Sequence, residues 1–153
     1  MGEGTVGIGI RRPMRGLGIA ASGLSAQRAR MNVIAANIAN AETTQGVDGA
    51  PYRRRTVALE EVAFQPLLGA TGGAVVGKEG GGVRIVGVQE DTREGPLVYD
   101  PGHPDADENG YVRMPNVDIN QEMVDMMEVR RLFEANVSVF QAIKTMLRRA
   151  AQL

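Results

Sequence analysis

The chain of 153 residues has no cysteine and no tryptophan, and only three tyrosines and three phenylalanines. Without cysteine there is no disulfide, no thiolate zinc ligand and no cysteine nucleophile. The scarcity of aromatic rings removes the stacking platforms on which single-stranded nucleic acid binds. A core in this chain must therefore be built from aliphatic side chains and methionine.

An excess of charge of one sign is also lacking, since 17 Lys and Arg face 18 Asp and Glu and the formal net charge is −1. This balance gives no electrostatic footprint for a polyanion, so we expect no nucleic-acid partner. No apolar run is long enough to span a bilayer, so we expect no direct membrane insertion. Arg11-Arg12 precedes a stretch diluted by glycine and serine, and we expect any export to proceed without a cleavable signal peptide.

The first segment with helical periodicity covers about residues 14–40. Its large apolar side chains recur every seven residues, at Leu17, Leu24, Met31 and Ile38, with Ile34 beside them. This spacing is typical of a helix that packs along one partner helix. Three glycines within the segment each cost about 1 kcal/mol of helix propensity relative to alanine, so the helix is marginal on its own.

The second periodic segment runs from about residue 118 to the end of the sequence. Its apolar stripe consists of Ile119, Met126, Phe133, Phe140 and Leu147, seven apart, widened by Met123 and Val137. Asp118 and Gln121 have the spacing of a capping box, with acidic residues near the start and basic residues near the end. We predict a long helix here, extending roughly 50 Å at the usual rise per residue.

Between the two helices the sequence changes to short β-branched runs separated by glycine and proline. The runs cover residues 52–59, 83–88, 96–99 and 111–114. Asp48-Gly49 and Asn109-Gly110 are typical tight-turn pairs. Residues 69–82 are dense enough in glycine to form a mobile loop. These features indicate a small β-rich insert.

Together the patterns predict an α+β fold in which long N- and C-terminal helices pack as a coiled-coil-like pair around a small β-rich insert. The predicted segments are a flexible extension over 1–13, a helix over 14–45, the insert over 46–116 and a helix over 117–153. The two helical segments form one core. An insert of this size cannot cover both apolar stripes, so we expect other copies or other proteins to cover part of them. A closed monomeric hairpin is the alternative.

Asn32, Asn37 and Asn40 lie near the end of the first predicted helix, although asparagine is unfavourable inside a helix. One explanation is helix termination by capping, which suits Asn40 best. The other is that their amides form hydrogen bonds across a helix–helix interface and fix its register. Both explanations remain open from the sequence.

The only histidine, His103, lies in a turn-rich segment near Asp105 and Asp107. A catalytic base needs a positioned partner, and a metal site needs three or four ligands. The nearby acids also lack the glycine and the final glutamate of a calcium loop. We predict a structural turn, with no catalytic residue, no cofactor and no metal site. A small hydrolase using His103 with one of these acids is the enzymatic alternative.

Several ordered motifs resemble one known family. The run Ala21-Ser22-Gly23-Leu24-Ser25-Ala26-Gln27-Arg28, followed by Met31-Asn32-Val33 and Ala36-Asn37-Ile38-Ala39-Asn40-Ala41, is similar to the N-terminal motif of flagellar axial proteins. The runs Leu97-Val98-Tyr99-Asp100-Pro101-Gly102-His103-Pro104 and Met114-Pro115-Asn116-Val117-Asp118 resemble FlgC-type proximal rod subunits of the basal body. Arg131-Leu132-Phe133-Glu134-Ala135-Asn136 resembles their C-terminal helix, with Phe133 in place of an expected tyrosine. The first 12 residues and Gly80 to Gly82 do not match the family's pattern.

This resemblance implies a non-enzymatic structural subunit of the proximal rod of the bacterial flagellum. Such a subunit is exported unfolded through the flagellar type III apparatus, assembles in the periplasm and transmits torque for motility. Its implied partners are its own copies, other rod subunits, basal-body ring and adaptor proteins, and the export apparatus. Two alternatives stay within structural roles: another short axial subunit of the rod, or a coiled-coil adaptor that binds a single partner helix.

The periodicity and the resemblance together nominate one set of interface residues. We expect the first helical stripe to pack on the second, and the outer helix faces to contact neighbouring rod subunits. The nominated residues are Leu17, Leu24, Met31, Asn32, Ile34, Asn37, Ile38, Asn40, Ile119, Met123, Met126, Phe133, Asn136, Val137, Phe140 and Leu147.

Overall fold

The structure is a computed structural model that describes residues 6–62 and 81–152, with side chains from Arg15 onward. In these residues two long helices flank four strands, which confirms the predicted α+β class. The elements are α1 (Val6–Ala39), β1 (Arg55–Glu61), β2 (Val83–Glu90), β3 (Leu97–Tyr99), β4 (Tyr111–Arg113) and α2 (Ile119–Ala151). Most of the glycine-dense segment predicted as a mobile loop, and residues 1–5, lie outside the described residues.

Helix α1 begins at Val6, several residues before the predicted start at residue 14. Residues 6–13 belong to the predicted flexible extension because the first 12 residues have no helical periodicity. Local sequence preference is a weak prior that context often outweighs. At the other end, Asn40 donates from Nδ2 to the Ala36 carbonyl at 2.8 Å and so closes the last turn.

Helix α2 begins where the capping signal predicted. The Asp118 carboxylate accepts hydrogen bonds from the backbone N–H of Asn120 at 2.9 Å and of Gln121 at 3.3 Å. These bonds satisfy two of the N–H groups that the first turn leaves without a helical partner. Gln121 does not reach back to complete a capping box, because its amide donates to Asp125 instead.

The four strands form two separate two-stranded sheets, β1 with β2 and β3 with β4. The second sheet is antiparallel, with Leu97 opposite Arg113 and Tyr99 opposite Tyr111. Gly110, which precedes β4, has a φ of 81°, a left-handed conformation that glycine adopts without penalty. This is the turn that Asn109-Gly110 predicted.

The contacts divide the chain into two compact units. The first unit comprises residues 1–28, 59–86 and 131–153, and the second comprises 29–58 and 87–130. Among the described residues, the buried side chains of the first unit are Ala20 and Ala26. Those of the second unit are larger and include Ile34, Asn37, Val112, Glu122 and Val129.

Candidate assembly interface

Asn37 is a polar side chain of the second unit that has no solvent exposure. Its Nδ2 donates to the Arg55 carbonyl at 2.9 Å and to Glu122 Oε2 at 3.0 Å. Its Oδ1 accepts from the Tyr52 hydroxyl at 3.0 Å and from the Arg55 backbone N–H at 2.9 Å. Both donors and both lone pairs of the amide are therefore used. Asn37 joins α1 to α2 and to the start of β1 through a single side chain.

Glu122 supplies the partner carboxylate from the first turn of α2 and is also fully buried. Its Oε1 accepts from Arg54 Nε at 2.5 Å, while Oε2 accepts from Asn37. Arg54 also donates to Asp125, which lies three residues after Glu122 on α2, at 3.2 Å. The Arg54 side chain is 24% exposed, so the guanidinium closes the cluster at its solvent side. A buried charge needs a close partner and hydrogen bonds of this kind to remain in the interior.

We call Asn37, Tyr52, Arg54 and Glu122 the polar cluster. No buried side-chain polar atom among the described residues lacks a hydrogen-bond partner. Burial is the main cause that raises the pKa of Tyr52 above its usual value, and the positive charge of Arg55 opposes this shift. The Arg55 guanidinium lies 5.5 Å from the Tyr52 ring centre, within cation–π range.

Asn116 holds the strand that delivers Arg54 to the polar cluster. Its Oδ1 accepts from the Arg54 backbone N–H at 2.7 Å, and its Nδ2 donates to the carbonyls of Asp91 and Arg93. The Asp91 N–H in turn donates to the Arg54 carbonyl at 2.8 Å. Asn116 lies two residues before the Asp118 cap, so the same short segment starts α2 and positions Arg54.

In the first unit the two helices approach each other at glycines of α1. A Cβ placed on Gly16 would lie 3.1 Å from Ile143 Cδ1, and one on Gly23 would lie 3.0 Å from Asn136 Nδ2. Seven residues forward on α1 thus correspond to seven residues backward on α2, which is an antiparallel pairing. Ser22 also ties α1 to β2, because its hydroxyl donates to the Ile19 carbonyl and accepts from the Val83 N–H.

The nominated interface residues fall into three groups by exposure. Ile34 and Asn37 are buried, whereas Asn32, Ile119 and Met123 are exposed. The half-buried residues are Leu17, Leu24, Met31, Ile38, Asn40, Met126, Phe133, Asn136, Val137, Phe140 and Leu147. The structure therefore brings Asn37 into a contact between helices, uses Asn40 as a local cap, and leaves Asn32 on the surface.

One apolar stripe of α2 is exposed within the part of the chain that the structure describes. Leu132, Val139 and Met146, seven residues apart, are 39%, 51% and 66% exposed. We call these three residues the outer stripe. Near the start of the same helix, Met123 and Met127 are 53% and 64% exposed. Seven-residue spacing of exposed apolar side chains is the pattern of a seam for a further helix.

Arg54, Glu122 and Asn116 belong to the site, but sequence reasoning did not nominate them. A charged residue at the start of a strand, or in the first turn of a helix, has the pattern of a solvated position. Two sequence signals pointed to this region. Asn116 lies within the Met114 to Asp118 motif, and the residues that follow this motif also resemble the family.

The segment around His103 forms a turn. The His103 N–H donates to the Asp100 carbonyl, and His103 Nδ1 accepts from the Asp105 N–H at 3.1 Å.

Across residues 6–62 and 81–152 there is no group of three or more histidine or acidic side chains placed to hold a metal ion. None of the helices in this part of the chain combines the length and apolar character needed to cross a membrane.

Comparisons with known proteins match most of the chain. A family model described as flagella basal body rod protein matches residues 17–46. A second, described as flagellar basal body rod FlgEFG protein C-terminal, matches residues 108–153. A flagellar basal-body rod protein FlgC from Yersinia enterocolitica is 45% identical over 84% of this chain and 88% of its own length.

Two further relatives come from distant bacteria. The flagellar basal-body rod protein FlgC of Bacillus subtilis is 42% identical over 90% of this chain and 95% of its own. The protein of the same name from Borreliella burgdorferi is 39% identical over 88% and 92%.

Proposed function

This chain belongs to the FlgC family of flagellar basal-body rod proteins, and we propose that its two long helices are the elements through which it polymerises into the rod. It is a structural subunit of the basal body and associates with other rod components. In our proposal it occupies the proximal rod, transmits torque and carries out no catalysis. The two helical segments act as one core, and the strands form an insert.

The observation that carries this proposal is the saturated polar cluster. If α1 slid by one turn along α2, Asn37 would leave Glu122, and a buried carboxylate would lose one of its partners. Glu122 also pairs with Arg54, so the loss is that of a hydrogen bond to a charged group, about 1.5–3 kcal/mol, together with the other hydrogen bonds of Asn37. A single buried polar contact can therefore fix the register of two helices, as asparagine does at the interface of a coiled coil. A subunit with a fixed register presents constant outer faces, as a regular polymer requires.

The exposed apolar residues of α2 support the second step of the proposal. In the subunit alone, the outer stripe remains open to water, and its burial would stabilise an assembled rod by the hydrophobic effect. The nominated residues that are exposed, such as Ile119 and Met123, would make contacts of the same kind with neighbouring subunits. These contacts are between copies of this chain or between this chain and other rod subunits.

We further propose that the chain is exported unfolded through the flagellar type III apparatus and assembles in the periplasm without cleavage of a signal peptide. Its additional partners would be the export apparatus and the ring and adaptor proteins of the basal body. The glycines of α1 support unfolded export, because each lowers helix stability by about 1 kcal/mol relative to alanine. Such a helix is stable only when packed.

The proposal can be tested by complementing a bacterium that lacks its own rod subunit of this family. Asn37→Leu should abolish swimming and the recovery of complete rods, since it removes four hydrogen bonds and leaves Glu122 without the amide. Asn120→Leu is the matched control, because Asn120 is exposed in the first turn of α2. Normal swimming and normal rods with Asn37→Leu would refute the proposed role of the polar cluster.

A further inference from the structure

One face of the β3–β4 sheet exposes two of the six aromatic residues of this chain. Leu97 and Tyr99 are two residues apart on β3, so their side chains share this face. Tyr111 lies opposite Tyr99 on β4. Their exposed fractions are 54%, 65% and 43%. The two tyrosine rings contact each other edge to face, with centres 5.3 Å apart. We call Leu97, Tyr99 and Tyr111 the tyrosine face.

The opposite face of the same sheet is the one turned to the core of the second unit. Val112, which lies between Tyr111 and Arg113 and therefore points the other way, is only 2% exposed. Val98, opposite Val112 on the same face, is 45% exposed, so the sheet is anchored through Val112 and leaves the tyrosine face open. Exposed tyrosines held by a short, anchored sheet are typical of protein-binding surfaces, since tyrosine is enriched among the residues that dominate binding energy.

The segment that joins β3 to β4 adds negative charge beside the tyrosine face. Residues 100–109 contain four carboxylates and no lysine or arginine. Within the described residues none of the four pairs with a lysine or arginine, and the closest ionic contact is His103 with Asp105 at 3.9 Å. The charge of this segment therefore remains available to a basic partner.

The outer stripe of α2 carries the complementary charge. Arg131 and Arg149 are separated by about five helical turns and therefore lie along the same flank of the stripe. Residues 130–153 contain five arginines and lysines and a single acidic residue. The exposed outer stripe is thus an apolar seam whose border carries Arg131 and Arg149.

We propose that the outer stripe of one copy docks on the tyrosine face of a second copy of this chain. This inference rests on the proposed function and deepens it by naming two surfaces that meet. The apolar stripe covers Leu97 and the tyrosine pair, and the basic border lies against the acidic segment. Because the two surfaces are different, the contact is head to tail, and each copy keeps one of each surface for the next. Contacts of this kind generate rings or open filaments, depending on the rotation between copies.

The absence of cysteine allows a direct test by disulfide cross-linking within isolated basal bodies. Leu97→Cys is combined in one chain with a cysteine at each outer-stripe position in turn: Leu132→Cys, Val139→Cys or Met146→Cys. On oxidation, at least one combination should give covalent dimers and longer multimers of this chain. No multimers with any of the three, or only a bond within one chain, would overturn the proposal.

A matched control combines Leu97→Cys with Val86→Cys, since Val86 is 62% exposed but lies on β2, which contributes to neither surface. Cross-linking of this control as strong as that of the outer-stripe variants would also overturn the proposal. The control detects multimers that form by random collision.

A charge exchange, made in the variant that cross-links, gives a second test that probes the charged borders of the contact. Glu108→Lys or Arg149→Glu alone should lower the cross-linking yield about fivefold, the effect of one ion pair at the rim of an interface. The two changes in one chain should restore it, because every copy then carries the exchanged pair. Failure of the double variant to recover would contradict the docking of these borders.

The complementation experiment separates this inference from the proposed function. If the unmodified chain restores rods but no outer-stripe variant cross-links, only the docking proposal fails. If the unmodified chain does not restore rods in a strain that its own relative complements, the proposed function fails first.

Discussion

Replacing Arg54 with methionine tests the energetic role of the polar cluster. Methionine keeps much of the volume and removes the guanidinium, so Glu122 would retain only the Asn37 amide as a hydrogen-bond donor. Loss of one partner of a buried ion pair costs about 3–5 kcal/mol. Arg54 is 24% exposed, so water can partly replace it, and we expect a loss of about 2–4 kcal/mol in the free energy of unfolding.

This loss can be measured by urea denaturation of the purified chain, with the midpoint and the slope fitted together. In a thermal melt of a chain of this size, a loss of about 3 kcal/mol would lower Tm by about 6–12 °C. Arg113→Met is the matched control in the same unit, since its pair with Glu94 is exposed at 40% and 76%. An exposed pair contributes about 0–1 kcal/mol, so the control should be nearly neutral.

A double-mutant cycle decides whether the effect belongs to the pair. Arg54→Met combined with Glu122→Leu removes both charges, and apolar replacement of both partners of a buried pair is often nearly neutral. The double variant should therefore be more stable than the sum of the two single losses predicts. A loss below about 1 kcal/mol for Arg54→Met, or strict additivity in the cycle, would refute the reasoning.

Two further predictions concern the same unit. Gly95→Ala should strongly destabilise the chain, because its Cβ would clash with the Met114 carbonyl oxygen, whereas Gly87→Ala meets nothing within 4 Å and should change the urea midpoint little. Equal midpoints for the two variants would show that this close approach is absent. Arg93 lowers the pKa of Asp91 from 3.8 to about 2, so Asp91 contributes stability above pH 3.8 that is lost as the pH falls towards 2. Asp91→Asn should flatten the dependence of stability on pH in that window, and an unchanged slope would contradict the assignment.

The sequence predicted the elements of the fold closely because their signals are local. The four short runs coincide with β1 to β4 within a few residues, and the Asp118 cap marks the start of α2. On α2 the predicted stripe through Met126, Phe133 and Phe140 is half-buried, since large apolar residues at regular spacing reveal the face of a helix.

The contact face of α1 was harder to predict because its closest contacts involve small or polar residues. Gly16 and Gly23 face α2, and Ala20 and Ala26 are buried, while Leu17 and Leu24 are only half-buried. Glycine and alanine contribute little to a hydrophobic pattern, although they allow the closest approach of two helices. The predicted stripe therefore runs through Leu17 and Leu24, each of which lies one residue after a glycine that contacts α2.

The polar cluster could be predicted only in part. Asn37 was nominated because asparagine is unusual inside a helix, and a hydrogen bond between helices was one of two explanations left open. Its partner Glu122 and the strand residue Arg54 are far away in sequence, at separations of 85 and 17 residues from Asn37. Without the fold, nothing in a single sequence indicates that these charges are brought together and buried.

Hydrogen exchange of the purified chain, compared with the chain in isolated basal bodies, tests the central claim most directly. If the helices form the subunit core and their outer faces build the rod, amides near Glu122 should be protected already in the purified chain. Amides from Leu132 to Met146 should gain further protection in the assembled rod, because burial of the outer stripe makes opening of this part of α2 rarer. Equal exchange of that outer segment in the two samples would contradict assembly through the terminal helices.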